Sequence, residues 1–273
     1  MLVQYAEKTK TRRFSSKMMK PKNNAEKKPG LKVILKKHAG RSSNGRITVR
    51  HQGGREKRFY RIVDFKRDKS NVEGKVVVFE YDPNRNVELA LIQYTDGDRR
   101  YILAPQGLKL GDTVVAGERV EVKVGNSMEL GSMPIGTIIH NVELKPGFGG
   151  QIGRSAGTAV TLQAKEAGYA HLKMPSTEVR MVPLRSRATV GALGNEEYKN
   201  MVLGKAGRAR HMGIRPAVRG VAMDPHSHPH GGGEARSGVG RKKPMTVYGK
   251  PAVGNTRTKK KWTSKYILKR RKA

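Results

Sequence analysis

The sequence predicts an all-β fold of two small barrels between long, basic, extended N- and C-terminal arms. Two observations predict the barrels: the middle of the 273-residue chain holds two sets of short runs rich in Val, Ile, Leu and Tyr, and turn residues separate these runs. A third predicts the arms, because Lys and Arg outnumber Asp and Glu by 18 to 3 in residues 1–60 and by 19 to 2 in residues 201–273. Only the middle, with 19 basic and 17 acidic residues, is expected to form a core.

Five short apolar runs predict the first barrel, and a five-stranded barrel of this kind is typical of the oligonucleotide-binding (OB) fold. The predicted strands span residues 61–65, 74–81, 87–94, 100–104 and 113–115. Turn signals made of Asp, Asn, Gly and Pro separate them. Phe79 and Tyr81 alternate with Val78 and Glu80, so one face of this strand is expected to be apolar.

A second set of runs predicts an SH3-like barrel. Its strands are expected over residues 136–144, 159–164, 169–173, 178–183 and 188–191. One short helix is predicted at 195–203, because Glu196 and Glu197 suit a first helical turn. After Gly204 no apolar periodicity remains, so the C-terminal arm is expected to become ordered only through contacts along RNA. The predicted domains are an N-terminal arm (1–59), an OB barrel (60–118), an SH3-like barrel (119–200) and a Gly-rich C-terminal arm (201–273).

The formal net charge of +34 indicates a polyanionic partner, because self-repulsion on this scale opposes a compact free protein. No apolar run approaches the ~20 residues that span a bilayer. The start of the chain also lacks the apolar segment of a signal peptide, so we expect no membrane contact and an intracellular location. The absence of Cys excludes disulfides, thiolate metal sites and cysteine nucleophiles.

Arginine in Gly-rich or Pro-containing segments is the main signal for RNA binding. Residues 45–61 combine a short β-like stretch, a Gly-Gly turn and dense Arg, which favours a phosphate-contacting loop over a solvated basic hairpin. Small residues and Pro216 separate the arginines of residues 208–219, so their guanidinium groups can pair with phosphates or stack on bases. Beside the lysine run 259–261, Trp262 is expected to stack on a base, the alternative being packing on the protein's own surface.

The segment 220–236 contains three histidines followed by three glycines and has neither strand nor helix periodicity. We expect it to be held by something outside itself. A metal site is disfavoured, because no Cys or carboxylate cluster completes a ligand shell around His226, His228 and His230. His228 and His230 are predicted to hydrogen-bond phosphate or 2′-hydroxyl groups and to stack on bases, and the glycines to let backbone amides approach RNA. The alternative is that His228 acts as a general base.

Seven motifs carry a family resemblance, and they follow one another in order at residues 45–51, 60–67, 101–108, 153–158, 203–208, 219–225 and 228–234. The last two read Arg-Gly-Val-Ala-Met-Asp-Pro and His-Pro-His-Gly-Gly-Gly-Glu. Together they closely resemble the universal L2 family of large-subunit ribosomal proteins, bacterial type. Two places depart from the family pattern: Arg55 and Glu56 stand where Gly and His are usual, and Ser227 stands where an Asp precedes the first His of His-Pro-His.

The resemblance implies an OB barrel followed by an SH3-like barrel, with both tails threading into large-subunit rRNA. It further implies a place near the peptidyl transferase centre and roles in subunit assembly, tRNA placement and association with the small subunit at an intersubunit bridge, beside other large-subunit proteins. A structural constituent of a cytoplasmic ribosome, not an enzyme, is expected. We expect no cofactor, with magnesium ions only as companions of the rRNA.

The residues predicted to contact rRNA come from both arms and from loops of the barrels. They are Arg46, Arg50, His51, Gly53, Gly54, Lys57, Arg58, Arg61, Lys66, Arg67, Arg154, Ser155, Lys205, Arg208, Arg210, Arg215, Arg219, His228, His230, Gly231, Gly232, Gly233, Arg236, Lys242, Lys243, Lys259, Lys260, Lys261, Trp262, Lys269, Arg270 and Arg271.

Overall fold

The computed structural model describes residues 2–5, 10, 13–21, 30–254, 257–258 and 260–271. Among the described residues 31% lie in strands or β-bridges and 8% in helices, so the prediction of an all-β fold is confirmed. Contacts divide the protein into two compact units that do not follow the order of the sequence. Unit 1 falls within residues 1–36, 57–206 and 265–272, and unit 2 within residues 37–56 and 207–264.

The strands of the described residues all lie in unit 1, and most are short. In chain order they are β1 (Leu2–Gln4), β2 (Ser16–Met18), β3 (Lys32–Ile34), β4 (Phe59–Arg61), β5 (Gly74–Glu80), β6 (Leu89–Tyr94), β7 (Arg99–Leu103), β8 (Thr113–Val114), β9 (Ser127–Glu129), β10 (Ile138–His140), β11 (Val142–Glu143), β12 (Gly150–Ile152), β13 (Val160–Glu166), β14 (Tyr169–Lys173), β15 (Val179–Pro183), β16 (Arg187–Val190) and β17 (Ile267–Lys269). The run predicted at 61–65 is displaced: β4 ends at Arg61, and Val63 then forms a parallel bridge with Tyr101.

Two antiparallel sheets correspond to the two predicted barrels. The first has four strands in the order β7-β6-β5-β8, and the second has seven in the order β17-β15-β14-β13-β10-β16-β9. Two-stranded pairs are formed by β1 with β2, β3 with β4, and β11 with β12. This arrangement is consistent with an OB barrel followed by an SH3-like barrel.

The core of the four-stranded sheet is centred on β6, which is buried on both faces from Leu89 to Ile92. Leu89 and Leu91 belong to one apolar cluster and Ala90 and Ile92 to another, and all four are fully buried. Because side chains alternate between the faces of a strand, burial on both faces requires a continuous apolar run. Each large aliphatic side chain buried in this way stabilises the fold by about 1.5–3 kcal/mol. A third cluster lies against the seven-stranded sheet.

The end of β5 differs from the sequence prediction, because a charged residue there is buried. A β-bulge between Val76 and Val78 shifts the register of β5 against β6. As a result Val76 and Glu80 are buried, whereas Val78 is half-buried. The simple alternation expected for this strand is therefore wrong at Glu80.

The Glu80 carboxylate is held by three donors. It accepts hydrogen bonds from Arg61 Nε at 2.9 Å and from the Tyr101 hydroxyl at 2.8 Å, and Lys32 Nζ lies 3.1 Å away. Burial by itself raises the pKa of Glu80, but these donors outweigh burial, so the pKa lies below its usual range. Arg61, Tyr101 and Lys32 thus tie β4, β7 and β3 to the end of β5.

Helical segments are short throughout the described residues. The helix predicted at 195–203 is a 3-10 helix, Glu196–Asn200. The C-terminal arm, for which the sequence predicts no regular element, contains α1 (Ala206–Met212) and the 3-10 helices Gly220–Ala222 and Trp262–Tyr266. None of the side chains of α1 is buried, so it has no apolar stripe that a sequence pattern could reveal. None of these helices is long and apolar enough to cross a membrane.

Candidate nucleic-acid interface

Unit 2 joins segments of the two basic arms that are far apart in sequence, since His51 contacts Pro216 across 165 residues. The Gly53 amide donates to the Gly213 carbonyl at 2.8 Å, and the Arg215 amide donates to the His51 carbonyl at 2.9 Å. The His51 ring closes the pair by donating from Nδ1 to the Pro216 carbonyl at 3.1 Å. The Gly-Gly turn of the first arm and the arginine-rich segment of the second therefore form one structure.

This unit concentrates positive charge, since its two segments contain 18 Lys and Arg against 3 Asp and Glu. Many of its predicted RNA contacts are exposed: Arg46, Arg50, His51, Gly54, Arg215, Arg219, Gly233, Arg236, Lys242, Lys243, Lys260, Lys261 and Trp262. Others are half-buried: Gly53, Arg208, Arg210, His228, His230, Gly231 and Gly232. Lys259 lies outside the described residues. A dense set of exposed cations on a folded support is suited to binding phosphates.

A second group of predicted contacts lies in unit 1. The exposed members are Lys57, Lys66, Arg154, Ser155, Lys205, Lys269, Arg270 and Arg271. Arg58 is half-buried, and its Nη1 donates to the Pro83 carbonyl at 2.9 Å. The guanidinium of Arg154 lies 4.7 Å from the centre of the Phe65 ring, which orients it by a cation–π contact.

Two predicted contacts, Arg61 and Arg67, lie inside the protein. Arg61 is 8% exposed and is paired with Glu80. Arg67 is 2% exposed, and its Nη2 donates to the Gly125 carbonyl at 3.3 Å. A guanidinium enclosed by protein and already hydrogen-bonded there is not available to a phosphate. We therefore correct the prediction and assign both side chains to the protein's own core.

The histidine loop, residues 219–233, is held largely by its own backbone. The amide of His228 donates to the Asp224 carbonyl at 3.2 Å, and that of Gly231 to the His228 carbonyl at 2.8 Å. The Gly232 amide reaches back to the Met223 carbonyl at 3.0 Å. The expectation that this segment depends wholly on something outside itself is therefore wrong, because these bonds form a closed turn.

Glycines allow the histidine loop to form this closed turn. A β-carbon on Gly231 would lie 2.1 Å from the Asp224 carbonyl oxygen, which no side chain can tolerate. The amides of Gly231 and Gly232 are already bonded within the loop. We therefore correct the prediction that Gly231 and Gly232 let their amides approach RNA. At both positions the absence of a side chain instead lets the loop pack on itself.

Hydrogen bonds indicate which ring nitrogen carries the proton in His228 and in His230. The His230 amide donates to His228 Nδ1 at 3.0 Å, and the Met245 amide donates to His230 Nε2 at 2.9 Å. A ring nitrogen that accepts a hydrogen bond carries no proton, so neutral His228 is protonated on Nε2 and neutral His230 on Nδ1. Each neutral ring therefore has one N–H donor, which suits a phosphate or hydroxyl acceptor. Neither has a free basic nitrogen.

Two family models match the chain in succession. The model for the RNA-binding N-terminal domain of ribosomal proteins L2 matches residues 29–116, and that for their C-terminal domain matches residues 123–249. The chain belongs to the ribosomal protein L2 family. It is accordingly a structural RNA-binding protein of the large ribosomal subunit. The segments joined in unit 2 belong in part to each of the two matched regions.

The departures from the L2 pattern have local structural partners. The Glu56 carboxylate accepts a hydrogen bond from Nδ1 of His211, which ties the end of the first arm segment to α1. The Ser227 amide donates to the Asp224 carbonyl at 3.0 Å, within the turn that carries the histidines. Among the described residues, no group of three or more His, Cys, Asp and Glu is arranged to hold a metal ion.

The link between the histidine loop and residue 245 was missed by sequence reasoning. Met245 is 15 residues from His230, and the following turn is closed by the Thr246 amide donating to the Lys250 carbonyl at 2.7 Å. Arg241 adds a second link, from Nε to the Pro229 carbonyl at 3.4 Å. No local pattern signals such bonds, since they join segments that neither pair as strands nor share a helix.

Proposed function

We propose that this L2 family member is a primary rRNA-binding protein that takes part in assembly of the large subunit. The observation that supports this most is the pairing of the two basic arm segments into one unit. Cations from both ends of the sequence are thereby presented together, on a backbone that is already hydrogen-bonded. A prefolded cationic unit loses less conformational entropy on binding than a disordered tail with the same charge.

The binding that we propose is mainly electrostatic. Exposed Arg and Lys of unit 2 neutralise rRNA phosphates and release counterions, while His228 and His230 donate to phosphate or 2′-hydroxyl oxygens. Unit 1 adds Arg154 and Lys66 from its barrels, and Lys57 just before them, as separate contacts. Magnesium ions are expected only as companions of the rRNA.

The finer roles are proposals that the family resemblance suggests. They are contact with other large-subunit proteins, association with the small subunit at an intersubunit bridge, support of tRNA binding and support of the peptidyl transferase centre in the cytoplasmic ribosome. The N–H groups of His228 and His230 fit such a supporting role, because they can hold RNA acceptors in place.

Direct catalysis by His228 is the competing function. A general base needs a free nitrogen within reach of the proton that it takes. In His228, Nδ1 accepts from the His230 amide and Nε2 carries the proton, so the ring would first have to break a hydrogen bond. This arrangement favours the non-catalytic function.

Peptide transfer by ribosomes that carry His228→Ala separates the two functions. We expect the normal rate per assembled particle, with assembly verified by sedimentation and rRNA content. A loss of transfer by 100-fold or more in fully assembled particles, within the range of general-base effects of about 10²–10⁴, would establish the catalytic function instead.

Binding itself is tested with the full-length chain and a large-subunit rRNA transcript. We expect the logarithm of the affinity to fall linearly with the logarithm of the salt concentration, by about 0.7–0.9 for each phosphate neutralised. A tagged chain should also sediment with large subunits after a moderate salt wash. Recovery of the chain only on bulk nucleic acid, and never on large subunits, would contradict the proposal.

A further inference from the structure

The loop between β11 and β12 presents an aromatic side chain to solvent in unit 1. Phe148 is 69% exposed, although burying a Phe side chain stabilises a protein by about 1.5–3 kcal/mol. Nothing in the RNA-binding surface assigned so far uses it. Because single exposed apolar residues are common on protein surfaces, a partner at Phe148 is indicated only by the fixed backbone of its loop and by the cations beside it.

A buried carboxylate fixes the loop on both sides of Phe148. Glu143 is 2% exposed and accepts from the Gly147 amide at 3.2 Å and from the Gly149 amide at 2.8 Å. The Arg187 amide provides a third donor at 3.1 Å. Because the amides just before and just after Phe148 are both bonded, the position of its backbone is set without any ligand.

The loop is also hydrogen-bonded to the backbone of Phe65. The Gly150 amide donates to the Phe65 carbonyl at 2.8 Å, and Asn141 Nδ2 donates to the same oxygen at 3.2 Å. A β-carbon on Gly150 would lie 2.1 Å from Asn141 Oδ1. Only glycine therefore allows the backbone at residue 150 to approach Asn141 this closely. The loop therefore rests on Phe65.

Three cationic side chains lie beside this loop or beside Phe65, the residue to which it is hydrogen-bonded. Lys145 Nζ lies 5.8 Å from the centre of the Phe148 ring. The stem of Lys66 packs on Gly149. The Arg154 guanidinium lies 4.7 Å from the centre of the ring of Phe65, the residue whose carbonyl accepts from the Gly150 amide. Lys66, Lys145 and Arg154 are all exposed, whereas the acidic side chain in direct contact with the loop, Glu143, is buried.

We propose that Phe148 is a stacking platform for an unpaired nucleobase of RNA, with the adjoining phosphates held by Lys145, Lys66 and Arg154. Aromatic rings among cations are the pattern of sites that bind single-stranded nucleic acid. Protein interfaces, in contrast, are depleted of Lys. The inference rests on the proposed rRNA binding and adds a specific base contact to it.

Affinity for a large-subunit rRNA transcript at fixed, moderate salt tests the stack in the full-length protein. We expect Phe148→Leu to weaken binding by about 5-fold to 150-fold, the range of one base–aromatic stack, with the salt dependence unchanged. Phe148→Trp should keep wild-type affinity. Ile135→Ala is the matched control, because Ile135 is 63% exposed and should be neutral. Lys145→Gln should instead reduce the salt slope by about 0.7–0.9.

A spectroscopic test reports the stack directly. Trp262 is the only tryptophan, so Trp262→Phe combined with Phe148→Trp leaves a single tryptophan, at the proposed platform, which can be excited selectively over the tyrosines. We expect rRNA to quench its fluorescence. Inorganic polyphosphate, which supplies phosphate charge without bases, should not.

The outcomes separate this inference from the proposed function. If the wild-type chain fails to bind rRNA, the proposed function fails. If it binds, but Phe148→Leu binds equally well and the tryptophan at 148 is not quenched, the stacking inference alone is overturned. Normal RNA affinity combined with failure of Phe148→Leu to enter particles would also overturn it, since the ring would then contact a protein.

Discussion

Arg61 offers a sharp test of which arginines serve the RNA and which serve the fold. In Arg61→Met the aliphatic stem remains but the guanidinium is lost, so Glu80, which is 1% exposed, loses its partner at 2.9 Å. Breaking a buried ion pair costs about 3–5 kcal/mol. Lys32 and Tyr101 still reach Glu80, so we expect a loss near the lower end, about 3 kcal/mol.

Urea unfolding followed by circular dichroism measures this loss. With a slope of about 2–3 kcal/mol per molar urea, the midpoint should fall by about 1 M or more. The pH dependence should change as well. In the wild type the lowered pKa of Glu80 contributes stability above its unfolded pKa, and this is lost as the pH falls. In Arg61→Met that acid-sensitive contribution should shrink, because Glu80 has lost a donor.

RNA binding by the same variant completes the test. Under conditions where Arg61→Met is folded, the salt slope of rRNA binding should equal that of the wild type. Arg46→Gln, which changes an exposed arginine of unit 2, should lower the slope by about 0.7–0.9 if Arg46 contacts one phosphate. Unchanged stability together with a reduced salt slope in Arg61→Met would refute our assignment of this side chain to the core.

Two further predictions concern His140 and the histidine loop. Burial lowers the pKa of His140 to about 4, so the unfolded chain takes up a proton as the pH falls from about 6.5 to 4 while the folded protein does not. Protonation of the unfolded chain at His140 should lower the free energy of unfolding by about 3 kcal/mol over that pH range. In His140→Gln, the urea midpoint should no longer show this part of the pH dependence. Gly231→Ala should open the histidine loop and weaken rRNA binding, because its β-carbon would meet the Asp224 carbonyl oxygen at 2.1 Å. Gly238→Ala, with no atom within 4 Å of its β-carbon, is the control, and equal amide-exchange protection of Gly232 in both variants would contradict the prediction.

Much of the β structure could be predicted because its signals are local. The predicted strand at 87–94 contains the apolar run from Leu89 to Ile92 and lies between the turn signals at 82–86 and 96–98, so its existence could be recognised from the sequence. The short helix after residue 195 was signalled by Glu196 and Glu197, although the structure has the 3-10 form. In contrast, the bulge in β5 left no local signal, and so the burial of Glu80 was not predicted.

The residues of the candidate interface could be predicted, but the hydrogen bonds that join its segments could not. Its histidines, glycines and arginines were recognised as a group, and their family motifs are shown by the matches to L2 domains. The pairing of His51 with Arg215 and Pro216, and of His230 with Met245, could not be predicted. These bonds join loop segments that have no strand or helix period, so no pattern along the chain records them.

The sequence by itself determined that the protein is β-rich, strongly basic at both ends and an L2 family member. These properties depend on side-chain identity, local periodicity and motif order, all of which are written along the chain. The tertiary structure alone decided which cations remain available to RNA. Arg46 and Arg61 are chemically the same side chain, but Arg46 is exposed, whereas Arg61 is desolvated and paired with Glu80. Whether an arginine can bind RNA depends on its charge, its burial and its partners within the protein. Of these, only the charge can be read from the sequence.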